Sequence, residues 1–204
     1  MPLNLAVLLS GGGTTLQNIL EHIDRGALDA KVLCVISSRK DAYGLERARL
    51  RKIPAIAVPR KDYADLAQFN AAIWGAVRQH PVDLVVLAGF MSLLDIPADF
   101  THRIINTHPA LIPAFCGKGL YGHHVHEAVL AYGAKVSGAT IHFADNEYDH
   151  GPIILQGCVP VLDDDTPDSL AERVMAKERE LYPQAIQLIA QGRVRVEGRR
   201  VRIS

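Results

Sequence analysis

The sequence has few cysteines, no long hydrophobic run and no excess of charge of either sign. Its three cysteines, Cys34, Cys116 and Cys158, lack CxxC spacing, which argues against a disulfide framework and against a zinc ribbon. No run approaches the roughly 20 apolar residues that cross a bilayer. The apolar segment 3–9 also lacks the basic lead and the cleavage site of a signal peptide. We therefore expect an unprocessed cytoplasmic protein without a membrane partner.

Charge and composition exclude further classes of protein. The 22 Lys and Arg residues balance 22 Asp and Glu residues, and this neutrality argues against general binding to nucleic acid. Hydrophobic residues make up 49% of the chain and charged residues 22%, which excludes intrinsic disorder because such a chain can bury a core. The length of 204 residues favours one domain over 1–204, with an N-terminal half over about 1–100 and a C-terminal half over about 101–204.

Short apolar runs alternate with helical patterns, as in parallel βαβ units. Segment 3–9 is nearly all apolar, which is typical of a central parallel strand covered on both faces. Thr14 or Thr15 is predicted to cap a helix after it. Further strands are predicted at 31–37, 55–58, 84–87, 104–107, 135–143 and 153–161. Further helices are predicted at 43–52, 62–79, 123–132 and from Thr166 onwards. The C-terminal tail is predicted to form a hairpin. The sequence thus predicts an α/β, Rossmann-like fold with a mostly parallel sheet and helices on both faces.

A glycine-rich turn, Ser10-Gly-Gly-Gly-Thr-Thr15, lies between the first strand and the first helix. Exposed backbone N–H groups and the positive end of the helix dipole can hold a phosphate there, although a plain tight connection between the two elements explains the glycines equally well. The Walker lysine is absent, and Leu16 stands where GxGxxG needs its last glycine. The turn therefore indicates neither a nucleoside triphosphate nor a dinucleotide.

Three polar residues are candidates for catalysis. Asn106 and His108 share one face at the end of a predicted strand, where open α/β sheets bind ligands. An amide and an imidazole at that place suit an oxyanion and a proton transfer. Asp149, at the entrance of a later strand, would favour the charged imidazole and fix its tautomer if the two side chains meet. Taken singly, Asn106 can bond a loop backbone and His108 can be a core histidine.

A histidine cluster offers a different kind of site. His123, His124 and His126 lie close together, and three histidines can hold a catalytic zinc ion. Neighbouring side chains on a helix diverge by about 100°, however, and no HExxH spacing occurs. Polar lining of a ligand pocket is the favoured interpretation, and no metal is predicted.

Several segments together resemble the folate-dependent formyltransferases, and within that group the glycinamide ribonucleotide (phosphoribosylglycinamide) formyltransferases of purine biosynthesis. The resemblance runs from Leu5 to about Gln191. Its segments, in family order, are VLLSGGGTTLQ, DAYGLERAR, VVLAGFM, INTHPALIP, HEAVL, GATIHFADNEYDHGPIILQ and VMAKERELYP.

The resemblance implies transfer of a formyl group from 10-formyltetrahydrofolate to the amino group of glycinamide ribonucleotide, without a metal. Asn106, His108 and Asp149 match the catalytic trio. The other matching positions are Gly13, Thr14 and Thr15 for the substrate phosphate, Glu178 for a further substrate contact, Met91, Ser92, Leu93, Leu94, Ala144, Asp145, Asn146, Glu147 and Tyr148, with Asn106 and Asp149, for the folate, and His124, His126 and His142 for polar lining. A monomer or a homodimer is expected.

The chain departs from the commoner family pattern at four positions. Thr15 stands where Asn is usual, Ser92 where Arg is frequent, His150 where a second glycine often follows the aspartate, and Leu66 where the family has an arginine. The first change bears on the phosphate loop and the second removes one expected folate contact.

Other functions remain as alternatives. A formyltetrahydrofolate hydrolase and a methionyl-tRNA formyltransferase each carry an additional domain that 204 residues do not accommodate. A metal-dependent hydrolase built on the histidine cluster and a non-catalytic phosphate-binding module are rivals of other classes.

Overall fold

The computed structural model describes all 204 residues, which form two compact units, Met1–Ile105 and Asn106–Ser204. The first unit contains β1 (Leu3–Leu9), α1 (Thr14–Asp24), β2 (Ala30–Ser37), α2 (Tyr43–Leu50), β3 (Ala55–Ala57), α3 (Leu66–Val77) and β4 (Leu84–Leu87). A short 3₁₀ turn, Arg60–Asp62, precedes α3, and a second, Ala98–Phe100, precedes the strand that follows β4. Strand β5 (Ile104–His108) begins in the first unit and ends in the second.

The second unit carries the remaining elements. They are α4 (His123–Tyr132), β6 (Val136–Phe143), β7 (Ile153–Pro160), α5 (Pro167–Ala190) and a C-terminal hairpin of β8 (Val194–Glu197) and β9 (Arg200–Ile203). The segment between β5 and α4 forms turns without regular structure, and its Ile112–Pro113 peptide is cis.

Seven strands form the central sheet in the order β3-β2-β1-β4-β5-β6-β7. The pairs among β1 to β5 are parallel, whereas β6 and β7 pair antiparallel with an irregular register between Ile141 and His142. The predicted α/β class with a mostly parallel sheet is therefore confirmed, as is the hairpin in the tail.

Apolar burial follows the predicted pattern within each unit. Strand β1 buries every side chain from Leu5 to Leu9, as expected for a central parallel strand. In α5, Leu170 and Val174 start an apolar face that continues through Tyr182 and Ile186. None of the helices combines the length and the apolar character that a membrane span requires.

Of three predicted helix starts, that of α5 is confirmed and those of α1 and α3 are wrong. Thr166 accepts a hydrogen bond from the Ser169 N–H and begins α5 as predicted. Neither Thr14 nor Thr15 caps α1, because Gly13 occupies the cap position with a left-handed backbone and no side chain. Helix α3 begins at Leu66 rather than at residue 62, because the Asp65 carboxylate accepts the Gln68 N–H at 2.8 Å and defines a later start.

The three cysteines are free and lie in three different environments. Cys34 is buried in β2, and this burial raises the pKa of its thiol to about 11. Cys116 is half-buried and its thiol donates to the Pro113 carbonyl oxygen, while Cys158 is exposed on β7.

Candidate active site

The glycine-rich turn of the first unit is held by helix α2 behind it. A Cβ at Gly13, where φ is 72°, would lie 2.7 Å from the Gly44 Cα atom, so only glycine allows this approach. The Gly44 N–H donates to the Gly11 carbonyl oxygen at 3.1 Å, and Arg47 Nε donates to the Gly12 carbonyl oxygen at 2.8 Å. Arg47 was not singled out from the sequence, because only the fold places α2 behind the turn.

The turn leads directly into the first turn of α1, which contains no acidic residue. A helix N-terminus presents N–H groups that its own carbonyl groups do not accept, together with a positive partial charge. Gly11, Gly12 and Thr14 are exposed, whereas Gly13 is buried and Thr15 half-buried. The place is therefore open to an anion such as a phosphate.

A cavity of about 1080 Å³ lies beside the start of this turn, within the first unit. Two buried serines form its floor, since the Ser10 and Ser38 hydroxyl oxygens are 2.6 Å apart. The Met91 N–H donates to the Ser10 hydroxyl oxygen at 2.9 Å, and Met91 and Ser92 also line the cavity. The structure thus places two predicted folate residues beside the first residue of the glycine-rich turn.

Four basic residues that no sequence motif indicated line the same cavity. They are Arg39, Lys40, Arg60 and Lys61. Arg39 pairs with Asp41 at 2.7 Å and Lys40 pairs with Asp62 at 2.8 Å, which leaves an excess of positive charge at the cavity. The sequence could have indicated them, because they directly follow β2 and β3 and ligands bind beyond the carboxyl ends of parallel strands.

In the second unit, Asn106 projects from the end of β5 toward His142 on β6. Its amide nitrogen lies 3.4 Å from His142 Nε2. His142 is 1% exposed, and burial lowers the pKa of its imidazole, so the ring is neutral. Its Nδ1 atom lies 2.8 Å from the Phe143 carbonyl oxygen, which assigns the proton to Nδ1 and makes Nε2 the acceptor for Asn106.

His108 lies two residues further along β5 and is buried. Its Nε2 atom donates to the Phe115 carbonyl oxygen at 2.8 Å, and its Nδ1 atom is 3.4 Å from Asp149 Oδ2. Both ring nitrogens therefore face oxygen acceptors, Nε2 a carbonyl group and Nδ1 a carboxylate. Phe115 belongs to the irregular segment and has a left-handed backbone, with φ of 51°, and no sequence signal pointed to its carbonyl group.

Asp149 joins these groups into one cluster. Its Oδ2 atom accepts the Gly117 N–H at 3.0 Å, and its Oδ1 atom lies 3.8 Å from His142 Nε2. The backbone of Asp149 is left-handed, with φ of 53°, which is uncommon for a residue with a side chain. The structure thus brings Asn106, His108 and Asp149 together through His142.

Two further side chains fix the segment that follows β5. Thr140 Oγ1 donates to the Ala110 carbonyl oxygen at 2.6 Å and accepts the Ile112 N–H at 3.1 Å. Gln156 Nε2 donates to the Ile112 carbonyl oxygen at 2.9 Å and to Thr140 Oγ1 at 3.0 Å. Both residues lie in the segment GATIHFADNEYDHGPIILQ noted above, but their role is evident only from contacts across strands β6 and β7.

The histidines of α4 are dispersed among separate partners. His123 pairs with Asp168 at 2.8 Å and the exposed His124 pairs with Glu127 at 3.1 Å. His126 is buried, and burial lowers the pKa of its imidazole, with a smaller contribution from His123 and His108. No group of three or more His, Cys, Asp or Glu side chains in the structure is arranged to hold a metal ion.

The other predicted site residues vary in exposure. Leu94 is buried and Leu93 exposed, Ala144 and Asp145 are half-buried, and Asn146, Glu147 and Tyr148 are exposed. Glu178 is half-buried on α5.

Comparisons with known proteins agree with these features. The profile described as "Formyl transferase" matches residues 3–186. The chain is 41% identical over 194 residues to the chloroplastic phosphoribosylglycinamide formyltransferase of Arabidopsis thaliana, covering 94% of this chain and 66% of that protein. It is 36% identical over 195 residues to the phosphoribosylglycinamide formyltransferase of Haemophilus influenzae, covering 95% of this chain and 90% of that protein.

A solved structure is similar over nearly the whole chain. Glycinamide ribonucleotide transformylase 1 from Symbiobacterium toebii superposes with a TM-score of 0.93 at 45% identity, covering 99% of this chain and 94% of that one. The chain spans about two thirds of the length of the Arabidopsis protein and 62% of a second plant relative, from Vigna unguiculata. The resemblance inferred from the motifs is confirmed, and the chain belongs to the formyl transferase family.

Proposed function

We propose that the protein transfers the formyl group of 10-formyltetrahydrofolate to the amino group of glycinamide ribonucleotide. The observation that carries this proposal is the cluster in which Asn106, His108 and Asp149 meet around the buried, neutral His142. Relatives named phosphoribosylglycinamide formyltransferase, at 36–41% identity over most of this chain, support the choice of substrates. We also infer a cytoplasmic enzyme that is a monomer or a homodimer and has no nucleic-acid or membrane partner.

The reaction begins with attack of a neutral primary amine on the formyl carbon. Negative charge then grows on the formyl oxygen of the tetrahedral intermediate, where preorganised donors stabilise it. One amide N–H of Asn106 faces His142 Nε2, which orients the amide, and the second is assigned to this oxygen. His142 acts here as a positioning residue, because its neutral tautomer accepts the first N–H.

His108 supplies the second donor. In this structure its Nε2–H group is used by the Phe115 carbonyl oxygen, so the formyl oxygen has to replace that carbonyl as the acceptor. Asp149 lies on the other side of the ring, with its Oδ2 atom 3.4 Å from His108 Nδ1.

Asp149 is also assigned the proton transfer. The attacking nitrogen loses a proton when the intermediate forms, and the folate nitrogen gains one when its bond to the formyl carbon breaks. Asp149 accepts the first proton and returns one to the leaving nitrogen, directly or through water. The products are the formylated amine and tetrahydrofolate, and no metal or covalent enzyme intermediate takes part.

Substrate and folate contacts are assigned to other segments. The glycine-rich turn, with Gly13, Thr14 and Thr15, is proposed to hold the substrate phosphate, and Glu178 to contact the substrate. Met91–Leu94 and Ala144–Asp149 are proposed to contact the folate. The basic cavity beside Met91 supports this assignment, because the glutamate portion of a folate carries carboxylates and Ser92 offers no charge of its own.

The experiment is a spectrophotometric assay of tetrahydrofolate formation with glycinamide ribonucleotide as acceptor. We expect His108→Ala and Asp149→Asn each to lower kcat by about 10² to 10³, the usual cost of losing one donor at such a site. Asp163→Asn, at an exposed ion pair with Lys135, is the matched control and should retain full activity. Near-normal rates in both cluster variants would overturn the mechanism. Acceptor-independent release of formate would identify a hydrolase instead.

A further inference from the structure

The C-terminal hairpin is hydrogen-bonded to the loop that carries Asp149. Arg199, in the turn between β8 and β9, places Nη1 2.9 Å from His150 Nε2 and donates through Nη2 to the His150 carbonyl oxygen at 2.6 Å. The other ring nitrogen of His150, Nδ1, lies 2.8 Å from Asp145 Oδ2. Three residues thus connect the hairpin to both ends of the segment 145–150.

The chemistry of these groups fixes the direction of every bond. A guanidinium has only donors, so His150 Nε2 must accept from Arg199 and cannot carry a proton. Nδ1 is the ring atom that donates to Asp145, because a carboxylate oxygen accepts. The Asp145 carboxylate is fixed in turn, since its Oδ1 atom accepts the Glu147 N–H at 3.0 Å.

The segment combines an exposed stretch with a strained backbone at Asp149. Asn146, Glu147 and Tyr148 are exposed, and Asp149 keeps a left-handed backbone that is costly for a residue with a side chain. Strained conformations of this kind persist only where the surroundings enforce them. Arg199 and Asp145 hold His150, the residue that directly follows Asp149.

The contact between the hairpin and the loop needs a side chain at position 150. His150 stands where the family often has glycine, which has no ring to accept from Arg199, so the ring contact requires both the histidine and the arginine.

We propose that Arg199 is a positioning residue for Asp149 and that the hairpin β8–β9 braces the loop 144–151 through His150 and Asp145. The inference rests on the proposed function only in its kinetic consequences. Mobility of the loop is a separate consequence that can be measured without any substrate.

The kinetic test compares Arg199→Ala with Arg200→Ala, an exposed arginine of the same hairpin. Contacts of exposed charged groups contribute little, so we expect Arg199→Ala to lower kcat only about two- to fivefold and to raise KM for the formyl-folate by a similar factor. KM for glycinamide ribonucleotide and the thermal midpoint should change little. Arg199→Lys should restore part of the loss, because lysine can donate to one of the two acceptors.

The second test is amide hydrogen exchange of the free enzyme over 144–151. Arg199→Ala should accelerate exchange at these amides, whereas Arg200→Ala should not. In a His150→Gly background, Arg199→Ala should have a smaller effect on kcat than in the native chain, because the ring contact is already lost. Unchanged exchange in Arg199→Ala would overturn the brace. Faster exchange in a protein without formyl transfer would support the brace and overturn the proposed function.

Discussion

At the scale of single residues, the geometry of Asp149 depends on a glycine two positions later. A Cβ at Gly151 would overlap the carbonyl oxygen of Phe143, on the opposite side of the loop. The Phe143 N–H also donates to the Pro152 carbonyl oxygen at 2.9 Å, so the two strands cannot move apart without losing this bond. The loop therefore closes tightly enough to direct Asp149 toward His108 only because residue 151 has no side chain.

Gly151→Ala should consequently destabilise the protein. We expect a loss of about 2 kcal/mol, typical of an overpacked site, and a correspondingly lower thermal midpoint together with loss of formyl transfer. Gly75→Ala is a suitable control, since nothing lies within 4 Å of the Cβ position in α3 and alanine favours a helix. A Gly151→Ala protein with native midpoint and native activity would contradict the steric argument.

Buried neutral histidines make stability depend on pH. Burial lowers the pKa of His126 below its unfolded value, so the unfolded chain binds more protons as the pH falls through the range below about 6.5. Stability should therefore decrease from pH 7 to pH 5. The urea midpoint should fall less steeply with pH in His126→Gln than in the native chain. Equal slopes in the two proteins would contradict the burial argument.

At the scale of elements, sequence patterns predicted what is local. The bounds of β1, β4 and α4 agree with the prediction, because apolar runs and helical spacing depend on neighbours along the chain. The predicted threonine cap of α1 was wrong. Gly13 takes the cap position because its left-handed backbone lies close to Gly44 in another helix, where no side chain fits. Tertiary packing overrides a local preference for Thr at such a position.

The candidate site divides in the same way. Strand alternation placed Asn106 and His108 on one face. The structure brings His108 to Asp149 and Asn106 to His142, which itself lies 3.8 Å from Asp149. The Phe115 carbonyl group on His108 and the hydroxyl of Thr140 on Ile112 could not be predicted, because they depend on how an irregular segment folds back over the sheet. Every residue type has a backbone carbonyl group, so the sequence does not show which carbonyl group will accept a hydrogen bond at the site.

The start of α5 shows how one buried carboxylate can organise an element. Asp165, just before the Thr166 cap, accepts two hydrogen bonds from Arg173, at 2.7 and 2.9 Å, and one each from the Ser169 hydroxyl and the Leu162 N–H. These bonds, first of all those of Arg173, hold the pKa of Asp165 well below its usual range.

Asp165→Asn should therefore lower the thermal midpoint by a few degrees at pH 7. A carboxylate with a lowered folded pKa contributes stability above its unfolded pKa of about 3.9, and this contribution is lost as the pH falls toward the folded value. The difference between native and variant midpoints should thus shrink below about pH 4. Asp163→Asn, two residues away and exposed, should shift the midpoint little at any pH. A difference that stays constant down to pH 3 would contradict the assignment.

At the scale of the whole molecule, charge is balanced overall but not locally. The formal net charge is zero, yet four basic residues surround the cavity of the first unit. Local concentration of positive charge attracts an anionic ligand without giving the protein a general affinity for polyanions.

The formyl transfer proposed above proceeds without a metal ion, so chelation should leave the protein unchanged. We expect formyl transfer and the thermal midpoint to be the same, within error, after dialysis against EDTA. Elemental analysis of the purified protein provides the complementary measurement. Stoichiometric zinc, or activity that chelation removes and zinc restores, would contradict this expectation.

The contrast among the three thiols gives the chain a built-in reporter. Thiolates, not thiols, react with alkylating reagents, so Cys34, with its pKa near 11 inside β2, stays unmodified while the protein is folded. Cys158 is open to a maleimide on β7, and Cys116 reacts more slowly because burial raises its pKa. Rapid labelling at Cys158 alone thus marks the native molecule, and the rate of later labelling at Cys34 reports how fast the protein unfolds.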